Sequence, residues 1–120
     1  MDFAERFEDL RIWQESREQV RAVYCCLLNG VGSRDYSFRD QIQRAAISVM
    51  NNIAEGFERK TPKDFAHFLD LAKGSCGEVR SMFYVAEDLH YITPLDSELL
   101  RQKAEKLSSG IAALARHLRA

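Results

Sequence analysis

RAAISVMNNIAEG, residues Arg44 to Gly56, decides the fold. Ala45, Val49 and Ile53, preceded by Phe38 and Ile42, recur at steps of three and four, which is one face of an α-helix. Beside that stripe runs a polar row, Arg44, Ser48, Asn52 and Glu55, at steps of four, four and three. An unpaired polar group at the edge of a core is costly, so this row requires partners in the fold or in a ligand.

Three further helices follow from the same periodicity. The first is expected from about 9 to 29, with Leu10, Trp13, Val20, Tyr24 and Leu27 as its stripe and Asn29-Gly30 as its stop. The central stretch extends to a helix over 37–58. Thr61-Pro62-Lys63-Asp64 then sets a capping Thr, Pro at the first helical position and an acid three residues after the cap. That signal opens a third helix over 62–90, and Thr93-Pro94-Leu95-Asp96 repeats it for a fourth over 94–118. The fourth carries Leu100, Ala104, Leu107, Ile111, Leu114 and Leu118 in a heptad row. Turns this short force neighbours antiparallel, and no segment alternates as a strand does. The expected fold is all-α, an antiparallel up-down-up-down four-helix bundle in a single domain spanning residues 1–120.

A turn centred near residues 60–61 sets Ala45 opposite Gly77, Ser48 opposite Gly74 and Arg44 opposite Glu78. Glycine within a helix costs about 1 kcal/mol relative to alanine, so Gly74 and Gly77 are expected to be offset by close approach of the second helix. Arg suits a partly buried carboxylate. The polar row is therefore read as a structural seam of Arg44, Ser48, Asn52 and Glu55 with Ser75 and Glu78. A ligand pocket and an oligomer contact are its alternatives.

Composition narrows the function. The chain has 120 residues, 46% of them hydrophobic and 29% charged, with two prolines and six glycines. No stretch approaches the ~20 apolar residues of a membrane span, and the start, MDFAERFEDL, is acidic rather than signal-like. Cys25, Cys26 and Cys76 are odd in number, which suits a reducing cytoplasm, and all three are expected to fill the core, one of the adjacent pair lying nearer the surface. Glu87-Asp88-Leu89-His90 and Asp64-Phe65-Ala66-His67 lie on one helix about 34 Å apart at ~1.5 Å per residue, too far to share a metal. No nucleophile elbow or phosphate loop is present, so no catalytic residue, metal, cofactor or small-molecule substrate is expected. Residues 93–120 carry Arg101, Lys103, Lys106, Arg116 and Arg119 against three acids, a basic excess able to touch phosphate.

The central segment, together with DFAHFLDLAKGSCGE from Asp64 to Glu78, resembles a small bacterial four-helix-bundle family. That family includes proteins encoded within intervening sequences of large-subunit ribosomal RNA genes and the accessory variability protein of diversity-generating retroelements. The resemblance rests on Arg44, Ala45, Ser48, Asn52, Ile53, Ala54, Glu55 and Gly56. It continues through Asp64, Phe65, Phe68, Leu69, Ala72, Gly74, Ser75 and Glu78, and the opening Phe7, Leu10 and Trp13 fit as well. It implies a non-enzymatic, homo-oligomeric binding protein, a homopentamer by preference, whose partners are RNA or an RNA-dependent machine such as a reverse transcriptase. The alternative is a self-assembling scaffold with a protein partner and no nucleic-acid role. One departure bears on the choice. The retroelement protein is strongly basic, whereas this chain has 17 Lys and Arg against 18 Asp and Glu. Phe3, Phe7, Ile12, Phe57 and Tyr91, large groups off the stripes or near helix ends, are expected to supply the apolar interface of an assembly.

Overall fold

Three side-chain caps start three of the helices. Asp35 accepts from the Phe38 amide at 3.2 Å, Thr61 from the Asp64 amide at 3.1 Å, and Thr93 from the Asp96 amide at 3.1 Å. Each satisfies an amide that has no partner within its own helix. The computed structural model describes residues 4–27 and 30–120. Within them α1 spans Arg11–Leu27, α2 Tyr36–Phe57, α3 Pro62–Asp88 and α4 Pro94–Arg119, with short 3-10 turns at Phe7–Asp9 and Val31–Arg34. Phe3 and the Asn29 stop signal lie outside the described residues. The first helix thus begins two residues later than the sequence suggests, and the second is capped by Asp35. His90, at φ 63°, ends α3 in the left-handed region, where the Tyr91 amide reaches back to the Ala86 carbonyl at 2.8 Å.

Each helix packs on its neighbours in sequence, and α1 closes against α4. The pairs Asp70–Arg119 and Glu87–Arg101 link opposite ends of α3 and α4, so those two run antiparallel. The bundle measures 44 × 22 × 20 Å. Its core is filled by Val23 and Leu27 of α1, Ile42, Val49 and Ile53 of α2, Phe65, Leu69, Val79 and Phe83 of α3, and Leu107 and Ile111 of α4, all essentially inaccessible. Each side chain of this size contributes about 1.5–3 kcal/mol by leaving water.

Helix α1 is turned relative to its apolar stripe. The buried positions are Ile12, Ser16, Gln19, Val23 and Leu27. Trp13 and Val20 sit at the border, and Tyr24 is 40% exposed. Ser16 is tolerated inside because its hydroxyl donates to the Trp13 carbonyl at 2.6 Å. The expected interface is corrected as well. Ile12 is in the core, Phe7 packs against Trp13 with ring centroids 5.2 Å apart, Phe57 meets Phe65 edge-on at 5.9 Å, and Tyr91 meets Phe38 at 5.2 Å. None of these four is an exposed apolar group. The cysteines divide differently too: Cys76 is buried, while Cys25 and Cys26 are both exposed.

The glycines exchange roles with the sequence expectation. A Cβ at Gly74 or Gly77 would meet nothing within 4 Å, so α2 does not crowd them. Close approach occurs instead at Gly56, against Phe65 and Phe68, and at Gly110, where a Cβ would stand 3.0 Å from Ile12 Cγ2.

Candidate functional site

The polar row resolves into separate contacts. Ser48 and Ser75 share a hydrogen bond of 2.9 Å between their hydroxyls across α2 and α3. Asn52 donates back to the Ser48 carbonyl at 2.8 Å and hydroxyl at 3.0 Å. These three half-buried residues are a seam whose polar atoms find each other within the fold. The remaining members point elsewhere. Glu55 accepts from Arg59 one turn along its own helix at 3.0 Å, and Glu78 accepts from Gln41 at 3.2 Å. Arg44 is exposed and makes no hydrogen bond or ion pair among the described residues. The Arg44–Glu78 pair is therefore not formed. The Ser48–Ser75 bond lies one residue from the expected register, and one residue turns a helical side chain by about 100°.

The cations of α4 do not share one face. Arg101 and Arg119 face α3, whereas Lys103 and Lys106 face α1 across the opposite seam. Arg119 grips Asp70 with both arms of its guanidinium, one of them at 3.2 Å. Arg101 donates to Ser97 at 3.1 Å and to the Tyr84 hydroxyl at 2.9 Å, and lies 3.5 Å from Glu87. Lys106 lies 3.4 Å from Glu15 of α1. Three of the five basic residues are thus tied to carboxylates of neighbouring helices. Only Lys103 and Arg116 are without such a pair among the described residues.

A second polar cluster, unread in the sequence, ties the two connections at one end of the bundle. The Tyr91 hydroxyl donates to Asp35 at 2.7 Å while Asp35 also caps α2. The Tyr91 ring sits on Gly32, where a Cβ would stand 2.9 Å from Cγ. Asp35 is held below its ordinary 3.8, first by the Tyr91 hydroxyl and then by the Phe38 amide. Asp70 is lowered chiefly by its hydrogen bond from Arg119. A carboxylate with a depressed folded pKa stabilises above its unfolded value and ceases to do so as pH falls through the folded one. Melting temperature is therefore expected to hold steady above about pH 5 and to fall below about pH 4. The double substitution Asp35→Asn, Asp70→Asn should remove part of that fall. Melts followed by circular dichroism across this range test it, and identical acid profiles for the two chains would refute the assignment.

The outer face of α3 carries exposed apolar groups. Leu71, Val85 and Leu89 are 45%, 41% and 48% exposed. Residues 71, 74, 78, 81, 85 and 89 follow at steps of three and four, so Gly74, Glu78 and Ser81 lie between them on the same face. Helical periodicity marks this face in the sequence, because α3's buried residues lie on the opposite side. Among the described residues no helix is long and apolar enough to cross a membrane.

Over residues 8–113, from the first 3-10 turn to well inside α4, the chain is similar to the family described as 23S rRNA-intervening sequence protein. No curated protein matches it.

Proposed function

We propose, from the premise that the chain belongs to the 23S rRNA-intervening sequence protein family, that it is a non-enzymatic binding protein which assembles with copies of itself and engages protein. The observation that carries this reading is the outer face of α3. Exposed Leu71, Val85 and Leu89 share that face with Gly74, Gly77 lies beside it, and the Cβ positions of both glycines are open. Two mid-helix glycines cost about 1 kcal/mol each relative to alanine, and nothing within the protomer offsets them. A second backbone drawn close over Gly74 and Gly77 does.

Light scattering at micromolar concentration tests the assembly. The expected mass is a multiple of the 13.8 kDa protomer, with five copies the stoichiometry that the resemblance implies. Leu71→Lys with Val85→Lys should reduce it to the protomer while the helical spectrum is kept. A wild-type chain at protomer mass would defeat the reading.

Association with RNA is the second reading, and the family's description is the observation that favours it. The surface opposes it, because the α4 cations are split between two seams and mostly neutralised. With Lys103 and Arg116 left to meet phosphate, each protomer offers roughly two contacts, and affinity should fall steeply with salt. RNA binding that Lys103→Glu with Arg116→Glu abolishes would reinstate this reading.

A further inference from the structure

Exposed leucines occupy two faces of the bundle. Leu71 and Leu89, with Val85, lie on the outer face of α3, while Leu95 and Leu99 lie on the outer edge of α4, 65% and 50% exposed. The second set continues along α4 as Gln102, Lys106, Ser109 and Ala113, at steps of three and four and all exposed. A contact of α3 with α3 across a two-fold axis would leave that α4 edge in water.

The two faces match in height. Within the protomer Arg80 pairs with Glu105 and Tyr84 with Arg101, which fixes how far along α4 each residue of α3 lies. By that register Leu95 stands at the height of Leu89 and Leu99 at that of Val85. Lys106 stands at the height of Glu78, Ser109 at that of Gly74 and Ala113 at that of Leu71. Each correspondence holds to within two residues, or about 3 Å at ~1.5 Å per residue.

The same pairs match in chemistry. Leucines stand level with a leucine and a valine, a lysine with a carboxylate, and small residues with Gly74 and Leu71. Lys106 is 72% exposed, and its contact with Glu15 is a surface pair of small worth, readily exchanged for another carboxylate. Glu78 is exposed and accepts one hydrogen bond, from Gln41, so its carboxylate has room for a further donor.

We infer that copies of this chain join head to tail, the α4 edge of one seated on the α3 face of the next. The inference rests on the reading that copies meet at α3, and it names what covers that face. Leu95 and Leu99 of the incoming copy pack on Leu89 and Val85, its Lys106 pairs with Glu78, and its Ser109 lets the α4 backbone approach over Gly74. Because the heights agree, a rotation about an axis parallel to the bundle makes this contact without any shift along that axis. The two helices then run antiparallel, as α3 and α4 do within one chain. A head-to-tail contact leaves one α3 face and one α4 edge open at the ends until the rotation closes a ring.

Two blocked chains test it. Leu95→Lys with Leu99→Lys spoils the α4 edge and keeps the α3 face, and Leu71→Lys with Val85→Lys does the reverse. All four positions are exposed, so both chains are expected to keep the wild-type helical spectrum. Each alone should run at the 13.8 kDa protomer mass in light scattering. An equal mixture should run at twice that mass and no higher, because one intact α3 face meets one intact α4 edge. The mixture is measured at high micromolar concentration, since a single contact lacks the closure of a ring. A chain blocked at α4 that assembles like the wild type overturns the inference and leaves the α3 reading standing. So does a mixture that stays at protomer mass. A wild type at protomer mass overturns both.

Discussion

Gly56→Ala should lower the stability of the fold by about 2–3 kcal/mol, although alanine is the better helix former. The added Cβ would stand 2.7 Å from Phe68 Cβ, 2.9 Å from Phe65 Cδ1 and 3.3 Å from the Phe65 carbonyl oxygen. Phe68 Cβ is one bond from its backbone, so no rotamer change moves it away. Relief requires α2 and α3 to separate at the hairpin, where only Glu58 to Thr61 connect them and where Phe57 packs edge-on against Phe65. The helix-propensity gain of about 1 kcal/mol is already set against the cost. For a chain of this length the loss corresponds to roughly 10 °C in melting temperature. Thermal melts of the two chains decide it. A shift under about 2 °C would mean that the hairpin opens at little cost.

The helices themselves were legible because their signals are local. The caps at Thr61 and Thr93 and the stripe from Phe38 to Ile53 depend on residues within two turns of one another. The hairpin register was legible to within one residue for the same reason, since a tight turn leaves little choice of pairing. What failed required knowing the rotation of one helix against another. On α1 the apolar stripe through Trp13, Val20 and Tyr24 outweighs a face carrying Ser16 and Gln19, yet that polar face is the one turned inward. Hydrophobicity alone cannot register that Ser16 bonds back to the Trp13 carbonyl. Facing positions pair Arg44 with Glu78 but do not record side-chain direction, and Gln41 reaches Glu78 first. The basic excess of α4 is a property of its own segment, whereas its carboxylate partners lie on α1 and α3.

The open positions of Gly74 and Gly77 differ in being legible from the sequence. Phe65, Leu69, Ala72, Cys76, Val79 and Phe83 fix the inward side of α3, and both glycines fall outside it. With nothing within 4 Å of either Cβ position, Gly74→Ala with Gly77→Ala should stabilise the isolated protomer by about 2 kcal/mol, near 1 kcal/mol for each site. Neither added methyl would meet a neighbour within 4 Å, so the two gains are expected to add with little coupling. The same methyl groups would stand between two chains if a second backbone crosses α3 there. The double variant should therefore unfold at a higher denaturant midpoint when dilute and dissociate more readily when concentrated. Denaturation at nanomolar concentration measures the first effect, and light scattering over a dilution series measures the second. A gain in protomer stability with assembly unchanged would place the interface off the α3 face. No gain at all would mean that the two positions are not open, and the outer face of α3 would lose its claim to be the working surface.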